Sequence, residues 1–258
     1  MSVTVQSTIN DMNSHVQIPK SVLKNFAYKS KKDGLVVDYL DLVDNTIKTE
    51  KIRILDTKED YYSEEFDKTM GKIFETPFGD ISKKIRDFAM KKNSNISFSE
   101  KETKAVLHFC NNIFLRGKYA LNKANEFSYT SIIQPISQEE LIGSTRANLF
   151  RGNWINIIVN KTKTGFIIPR NCIYVKKSET PNKLHYIFPL SPWVAMILMP
   201  EEEAISMETE KGTRDHFYVD DINTVKTMNE FALHVEVGTN NKFIVGDKVE
   251  LQRLKEQL

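Results

Sequence analysis

Cysteine is scarce in this chain of 258 residues, which contains only Cys110 and Cys172. Disulfide frameworks and structural zinc sites need cysteines in close pairs, so neither is expected. Long apolar runs are missing as well: the longest, residues 193–199, is too short to cross a bilayer. Residues 1–13 are polar and lack the charged start and apolar run of a signal peptide. These absences predict a cytoplasmic protein without membrane contact, metal or cofactor.

An excess of one charge is also absent, because 36 basic residues face 34 acidic ones and the net charge is +2. A protein that relies on overall charge to bind nucleic acid shows a larger basic excess, so such a partner would need a local patch. The ten glycines are scattered and form neither a phosphate loop nor a dinucleotide fingerprint. No motif specifies a reaction, and whether the chain is an enzyme stays open.

The hydrophobic period changes along the chain. Residues 35–43 and 46–55 mix β-branched and apolar residues, and Asp44-Asn45 suits a two-residue hairpin turn between them. In the middle third the period is helical. Ser63 is placed as an N-cap, residues 76–79 as an interruption, and Asp80 as the cap of a second helix ending at 93–95.

Two capping boxes are the clearest local signals. Ser99 with Glu102 opens the strongest helix, and Ser137 with Glu140 opens a short one that runs to about Phe150. From Trp154 to residue 199, alternating or wholly apolar segments predict an antiparallel meander with a buried central strand. Then follow a loop at 207–214, a helix capped by Asp220 or Asp221 and ended by Gly238, a strand at 242–245, and a last helix that begins at Asp247.

These elements predict the α+β class, with a mainly antiparallel sheet packed against a layer of α-helices. We expect a single domain over 1–258. Within it, 1–13 form a disordered or extended start, 14–58 a motif segment and β-hairpin, 60–150 the helical layer, and 151–258 the meander with C-terminal helices.

Two segments resemble a known family. They are Ser14 to Phe26 and Phe188-Pro189-Leu190-Ser191-Pro192. The chain is similar in these segments to the bacterial domain of unknown function 4238, whose members open on His-Tyr-Val-Pro-Gln and Leu-(Arg/Lys)-Asn-Phe and carry a Phe-Pro-Leu-Ser-Pro strand. The positions that match the opening are His15, Pro19, Leu23, Asn25 and Phe26. Val16 and Lys20 depart from it.

The resemblance continues to the end of the chain. Arg116 takes the place of the family's central arginine, and the Asn160-Lys161-Thr162 turn, Phe166-Ile167, Asn223, Asn229 and Ala232 match later positions. Ile168-Pro169-Arg170 replaces Thr-Ser-Asp, so a guanidinium stands where the family has a carboxylate. If the family uses the Ser-Asp pair for chemistry, that chemistry is lost here. The resemblance implies an interaction or effector protein of a bacterial defence or stress pathway, antiviral defence included.

His15 and Arg116 are the candidate catalytic residues. An imidazole near Pro19 can act as a general base or bind a metal or phosphate, or it can cap backbone carbonyls where the opening segment docks. Arg116 can clamp a carboxylate or phosphate with Asn112 one turn earlier, or it can form a buried ion pair. Lys20, Lys24 and Asn25 are candidates for an anion-binding rim, with a solvated lysine face as the alternative.

Weaker candidates have structural explanations. Asp215-His216 with Asp220-Asp221 lacks a recognised metal-binding spacing and suits a loop and a helix cap. Ser191 lacks a nucleophile elbow and suits a strand bulge. Asp38 and Lys48-Thr49-Glu50 have the wrong order for a nuclease core.

Three hypotheses remain open at this point. The first is a non-catalytic interaction protein with a protein partner or a second copy of itself. The second is an enzyme acting on nucleic acid or a phosphorylated ligand, which requires His15, Lys24 and Arg116 in one pocket. The third is a small-molecule sensor with a closed cavity beside Trp154 or Trp193.

Overall fold

The computed structural model describes residues 13–59, 61–90, 96–123, 150, 153–178, 180–181, 183–211, 215–238 and 242–258. The helices are α1 (Lys20–Phe26), α2 (Glu64–Met70), α3 (Thr76–Met90), α4 (Glu100–Lys123), α5 (Glu201–Lys211), α6 (Ile222–Gly238) and α7 (Lys248–Lys255). The strands are β1 (Asn13–His15), β2 (Tyr28–Ser30), β3 (Gly34–Asp41), β4 (Thr46–Lys51), β5 (Thr57–Glu59), β6 (Asn153–Asn160), β7 (Ile168–Pro169), β8 (Tyr174–Lys177), β9 (Leu184–Ser191), β10 (Val194–Pro200), β11 (His216–Val219) and β12 (Phe243–Gly246). This mixture of helices and mostly antiparallel strands confirms the α+β class.

The strands form two larger sheets, which corrects the predicted single meander. One sheet has the order β11-β6-β10-β9-β8, and the other has β2-β3-β12-β7 with β4 also paired to β3. β11 runs parallel to β6, with His216 opposite Ile157. The sequence pattern predicts no strand at 216–219. β7 leaves the meander to pair with β12. Both pairings join segments distant in sequence, so local patterns did not reveal them.

The predicted interruption at 76–79 is wrong. A π-helical turn, Gly71–Glu75, connects α2 to α3, and the Thr76 N–H bonds to the carbonyl of Gly71. Pro77 lacks the N–H that a regular helix uses, and a wider turn just before it allows the helical path to continue. The Ser63 cap is confirmed, because its side chain accepts a hydrogen bond from the N–H of Phe66.

Other local predictions have mixed outcomes. Ser99 and Glu102 form the reciprocal capping box, and Asp221 and Asp247 accept hydrogen bonds from the first turns of α6 and α7. α5 covers residues 207–211 of the segment 207–214 that the sequence predicts as a loop. Its first turn carries three glutamates, which the helix dipole favours, but among residues 201–206 and 208 Ala204 alone is buried, and the apolar period of the helix is weak. The Ser137–Glu140 box and the helix end at 93–95 lie outside the described residues.

One hydrophobic cluster contains residues from the opening segment, the central helices and both larger sheets. Its members include Ile18, Val37, Phe109, Met196 and Val245. The opening segment therefore docks onto the helices and the late strands, while the single-domain division stays a prediction. None of the helices in the described residues is long and apolar enough to span a membrane.

Candidate functional site

The opening segment is anchored by the carboxylate of Asp56. Its Oδ2 accepts hydrogen bonds from the backbone N–H groups of Gln17 and Ile18, both at 2.9 Å, and its Oδ1 accepts one from Arg170 Nε at 3.0 Å. Burial raises the pKa of Asp56, and the charge of Arg170 opposes that rise. Asp56 has a φ of 57°, in the left-handed region that aspartate adopts more readily than most residues. One buried carboxylate thus joins segments far apart in sequence.

His15 lies beside this anchor as a neutral imidazole. Burial lowers its pKa to about 4, and the positive charges of Lys20 and Arg116 act in the same direction. Its Nδ1 has no hydrogen-bond partner among the described residues. A base with a pKa near 4 is poorly matched to proton transfer at neutral pH. This environment disfavours the catalytic role of His15, and among the described residues its ring makes no hydrogen bond to a backbone carbonyl, so the capping role stays a prediction.

Arg116 is buried in an ion pair. Its Nη1 lies 3.1 Å from Glu75 Oε1, and its guanidinium carbon lies 5.5 Å from the centre of the Tyr62 ring. Burial alone would lower the pKa of Arg116, but the combined electrostatic attraction of Glu75 and, to a smaller extent, of Tyr62, Asp67 and Cys172 raises that pKa above its usual value. Asn112, one turn earlier, contacts Met70 Sδ through Nδ2 at 3.6 Å. The ion-pair alternative therefore describes Arg116 in this structure.

Lys24 lies in a different place from His15 and Arg116. It lines a small cleft of about 190 Å³ together with Gly79, Ser82 and Arg86 of α3. Lys20 and Lys24 are both exposed. The three residues that the enzyme hypothesis needs in one pocket are therefore divided between the buried anchor and this cleft.

A larger cleft of about 780 Å³ lies where the ends of α1 and α3 approach the turn between β9 and β10. We call it the motif cleft, because it brings together three of the segments that resemble the family. Its lining includes Asn25, Phe26, Arg86, Lys161, Pro192 and Trp193. Only the tertiary structure juxtaposes these segments, since they are widely separated in sequence.

Arg86 is held in the motif cleft by Asn25. Arg86 Nη1 donates to Asn25 Oδ1 at 2.6 Å, and Arg86 Nε donates to the carbonyl of Ser82 at 3.4 Å. No described carboxylate pairs with Arg86, and its Nη2 has no hydrogen-bond partner among the described residues. The guanidinium is thus oriented by neutral groups, and no described carboxylate compensates its charge. Its unused N–H groups suit a phosphate or carboxylate.

Asn160 fixes the opposite wall of the motif cleft. Its Nδ2 donates to the carbonyls of Thr164 at 2.7 Å and Pro192 at 3.2 Å, and its backbone N–H donates to the Trp193 carbonyl at 2.9 Å. These bonds tie the end of β6 to the β9–β10 turn. Lys161 follows directly, with Nζ 3.5 Å from the centre of the Tyr218 ring. Trp193 is 46% exposed, so part of its ring is open to a ligand.

The turn behind the motif cleft depends on close packing. A Cβ on Gly165 would lie only 2.8 Å from Pro192 Cβ. Asn229 holds the adjoining backbone, since its Oδ1 accepts from the Ile167 N–H at 3.1 Å and its Nδ2 donates to the Gly165 carbonyl at 2.9 Å. Asn229 is therefore a structural residue that supports the wall from behind.

The weaker candidates take structural roles. The Ser191 hydroxyl accepts from the Trp193 N–H at 3.2 Å beside an irregularity in the β9–β10 pairing, as a bulge predicts. Asp38 accepts hydrogen bonds from Tyr28 and Thr49, and the β3–β4 register places Glu50 opposite Val37, on the other face.

The Asp215 carboxylate accepts from Trp154 Nε1 at 3.2 Å, and Asp221 caps α6. Within the ranges given above, no group of three or more His, Cys, Asp or Glu residues is placed to hold a metal ion. Trp154 lines a further cleft of about 490 Å³. Within the described residues, Trp154 and Trp193 each line a surface cleft, and the sensor hypothesis stays a prediction.

The family model described as Protein of unknown function (DUF4238) matches residues 15–246. The chain belongs to this family. No curated protein and no solved structure matches it. In this DUF4238 protein the matched range begins at His15 and includes both the buried anchor and the motif cleft.

Sequence reasoning missed Asp56 and Arg86. The hydrogen-bond partners of Asp56 lie 38, 39 and 114 positions away in the sequence, and the side-chain partner of Arg86 lies 61 positions away. No local pattern therefore marks either residue. The only available signal was the resemblance at Asn25, whose amide holds Arg86. Arg170, noted as a departure from the family pattern, is shown to be the counter-charge of Asp56.

Proposed function

We propose that this DUF4238 protein binds a phosphorylated ligand that carries an aromatic ring, of the nucleotide class, in the motif cleft. The observation that carries the proposal is the uncompensated guanidinium of Arg86, positioned by Asn25 in a cleft that Trp193 also lines. Arginine binds phosphate oxygens in a bidentate manner, and an exposed indole offers a face for base stacking.

The charges in the cleft support an anionic ligand. Among the described residues that line it, Arg86 and Lys161 are cationic and none is acidic. Lys161 contacts the Tyr218 ring and forms no ion pair with a described carboxylate. Two cations on opposite walls, neither paired with a described carboxylate, attract an anion into the space between them.

The lining supports binding rather than catalysis. Its described residues include no His, Asp or Glu to transfer protons, and the hydroxyl of its one serine, Ser191, accepts a hydrogen bond from the Trp193 N–H and has no general base beside it in the described lining. We therefore propose a ligand-binding component, and within that proposal we keep the interaction or effector role in a bacterial defence or stress pathway that the family resemblance suggests.

The two tryptophans make a direct test. AMP, ATP and inorganic phosphate are titrated while tryptophan fluorescence is followed, with calorimetry as a second measurement. The expected result is that AMP and ATP quench Trp193 emission, and that Trp193→Phe, which keeps Trp154, abolishes the quench. Arg86→Gln should weaken binding about tenfold or more by loss of the charged contact.

A matched control is Arg53→Gln, which removes one exposed arginine that lines none of the three clefts described above. It should leave the affinity unchanged. If neither nucleotide binds, or if Arg53→Gln and Arg86→Gln behave alike, the proposed function is wrong.

A further inference from the structure

The motif cleft adjoins the small cleft that contains Lys24. The two share Asn25 and Arg86 in their linings. One stripe of α3 lines both clefts, because its residues recur at helical spacing. Gly79, Ser82 and Arg86 line the small cleft, and Arg86 and Ala89 line the motif cleft. With a rise of 1.5 Å per residue, the path from Gly79 to Met90 is about 16 Å long.

The cations along this path are spread out. Lys24 lies in the small cleft, Arg86 in both clefts and Lys161 in the motif cleft. None of the three forms an ion pair with a described carboxylate, whereas Lys48, Arg116 and Arg170 all do. A nucleoside triphosphate concentrates its charge at one end. Cations distributed along a groove suit phosphates that are distributed in the same way.

We infer that the ligand of the motif cleft is a single strand of nucleic acid, whose backbone passes Lys161, Arg86 and Lys24 while a base stacks on Trp193. The inference rests on the proposed function and specifies its ligand class. A path of about 16 Å exceeds one nucleotide step, which is about 3.4 Å in a stacked strand, so several nucleotides fit. Positive grooves with exposed aromatic rings are the usual means of binding single strands.

Gly79 offers a way to block the path without damage to the fold. A Cβ at this position would meet nothing within 4 Å, and the residue lies in α3 with an ordinary helical conformation. Gly79→Glu places a carboxylate in the small cleft and should repel the strand. Gly79→Ala, which adds no charge, is its matched control.

The experiment compares fluorescein-labelled octathymidylate and octauridylate with AMP and ATP, by anisotropy and by competition, at 50 and 200 mM salt. We expect an octamer to bind about tenfold or more tightly than AMP and ATP. Lys24→Ala and Gly79→Glu should weaken octamer binding about threefold to tenfold and leave AMP binding unchanged. Lys24→Ala should also reduce the logarithmic salt slope by about 0.7.

Lys176→Ala removes an exposed lysine of β8 outside both clefts. Neither Lys176→Ala nor Gly79→Ala should change the affinity for the octamers. The thymidylate and uridylate arms distinguish DNA from RNA. The strand inference is overturned and the proposed function stands if AMP binds and neither octamer binds more tightly. The same holds if Lys24→Ala and Lys176→Ala bind the octamers with equal affinity. If no nucleotide or octamer binds, both are wrong.

Discussion

Asn25 Oδ1 accepts a hydrogen bond from Arg86 Nη1 at 2.6 Å, and this contact links α1 to α3 across 61 positions of sequence. The amide sets the direction of the guanidinium without neutralising it. A carboxylate at position 25 would make the same hydrogen bond but would cancel the charge that an anionic ligand needs. The identity of residue 25 is therefore tied to the proposed binding function through Arg86.

Substitution at Asn25 should change ligand affinity and stability by similar amounts. Asn25→Ala removes one partly buried hydrogen bond, with a cost of about 1 kcal/mol in the free energy of unfolding, and should weaken AMP binding about fivefold because Arg86 loses its orientation. Asn25→Asp should keep the stability and weaken AMP binding further. Calorimetry and thermal unfolding measure the two quantities. Ser82→Ala retains the carbonyl that Arg86 contacts and serves as control; a loss of affinity there as large as in Asn25→Ala would contradict the role of Asn25.

The lowered pKa of His15 predicts a dependence of stability on pH. The unfolded chain binds a proton at His15 near pH 6.5 and the folded protein only near pH 4. Protonation therefore favours unfolding between these values, and a contribution of at most about 3 kcal/mol is lost as the pH falls from 6.5 to 4. Urea unfolding of the native chain and His15→Gln at several pH values measures the difference. Parallel pH profiles for the two proteins would show that His15 is not buried as described.

The buried pair of Asp56 and Arg170 predicts a strong asymmetry between single and double variants. Arg170→Met leaves the Asp56 carboxylate buried without its counter-charge and should cost about 3–5 kcal/mol of unfolding free energy. Arg170→Met combined with Asp56→Asn should cost less than the sum of the single changes. Denaturant unfolding of the native chain, the two single variants and the double variant measures the interaction free energy between the two groups. Strict additivity would mean that the two groups do not interact.

Arg170→Asp tests the departure from the family pattern. It restores the family's carboxylate at position 170 but sets it beside Asp56, so two buried anions would face each other and destabilise the fold at neutral pH. Asp56→Asn in the same chain should recover much of the loss. Thermal unfolding at pH 7 checks both, and full stability of Arg170→Asp alone would contradict the described pairing.

The close approach of Gly165 to Pro192 predicts that any side chain at position 165 strains the wall of the motif cleft. Gly165→Ala places a methyl group 2.8 Å from Pro192 Cβ and should cost about 1–3 kcal/mol of unfolding free energy. Gly71→Ala is the control, since a Cβ there meets nothing within 4 Å and the residue has a helical φ of −57°. Equal stability of the two variants would contradict the packing.

Some predictions that depended on neighbouring residues were confirmed, such as the Ser99–Glu102 box, which joins residues three positions apart. The predicted hairpin forms with a positive φ at Asn45, but four residues, 42–45, connect the paired positions Asp41 and Thr46 instead of the predicted two. Other predictions failed because of compensation or distance. The π-helical turn before Pro77 allows the helix to continue past a residue that usually ends helices. The pairing of β11 with β6 joins segments about sixty positions apart.

The sequence by itself determined the α+β class, the family, a hairpin and the helix caps at Ser63, Ser99, Asp221 and Asp247, because each depends on short-range hydrogen bonds, on local apolar period or on matched positions. It did not determine the start of α3, since the predicted cap Asp80 lies inside that helix. The tertiary structure alone decided that Asp56 meets Arg170 and that Asn25, Arg86, Lys161 and Trp193 line one cleft. Such meetings depend on how buried faces pack between elements distant in the chain, and no local pattern specifies which distant side chains that packing brings together.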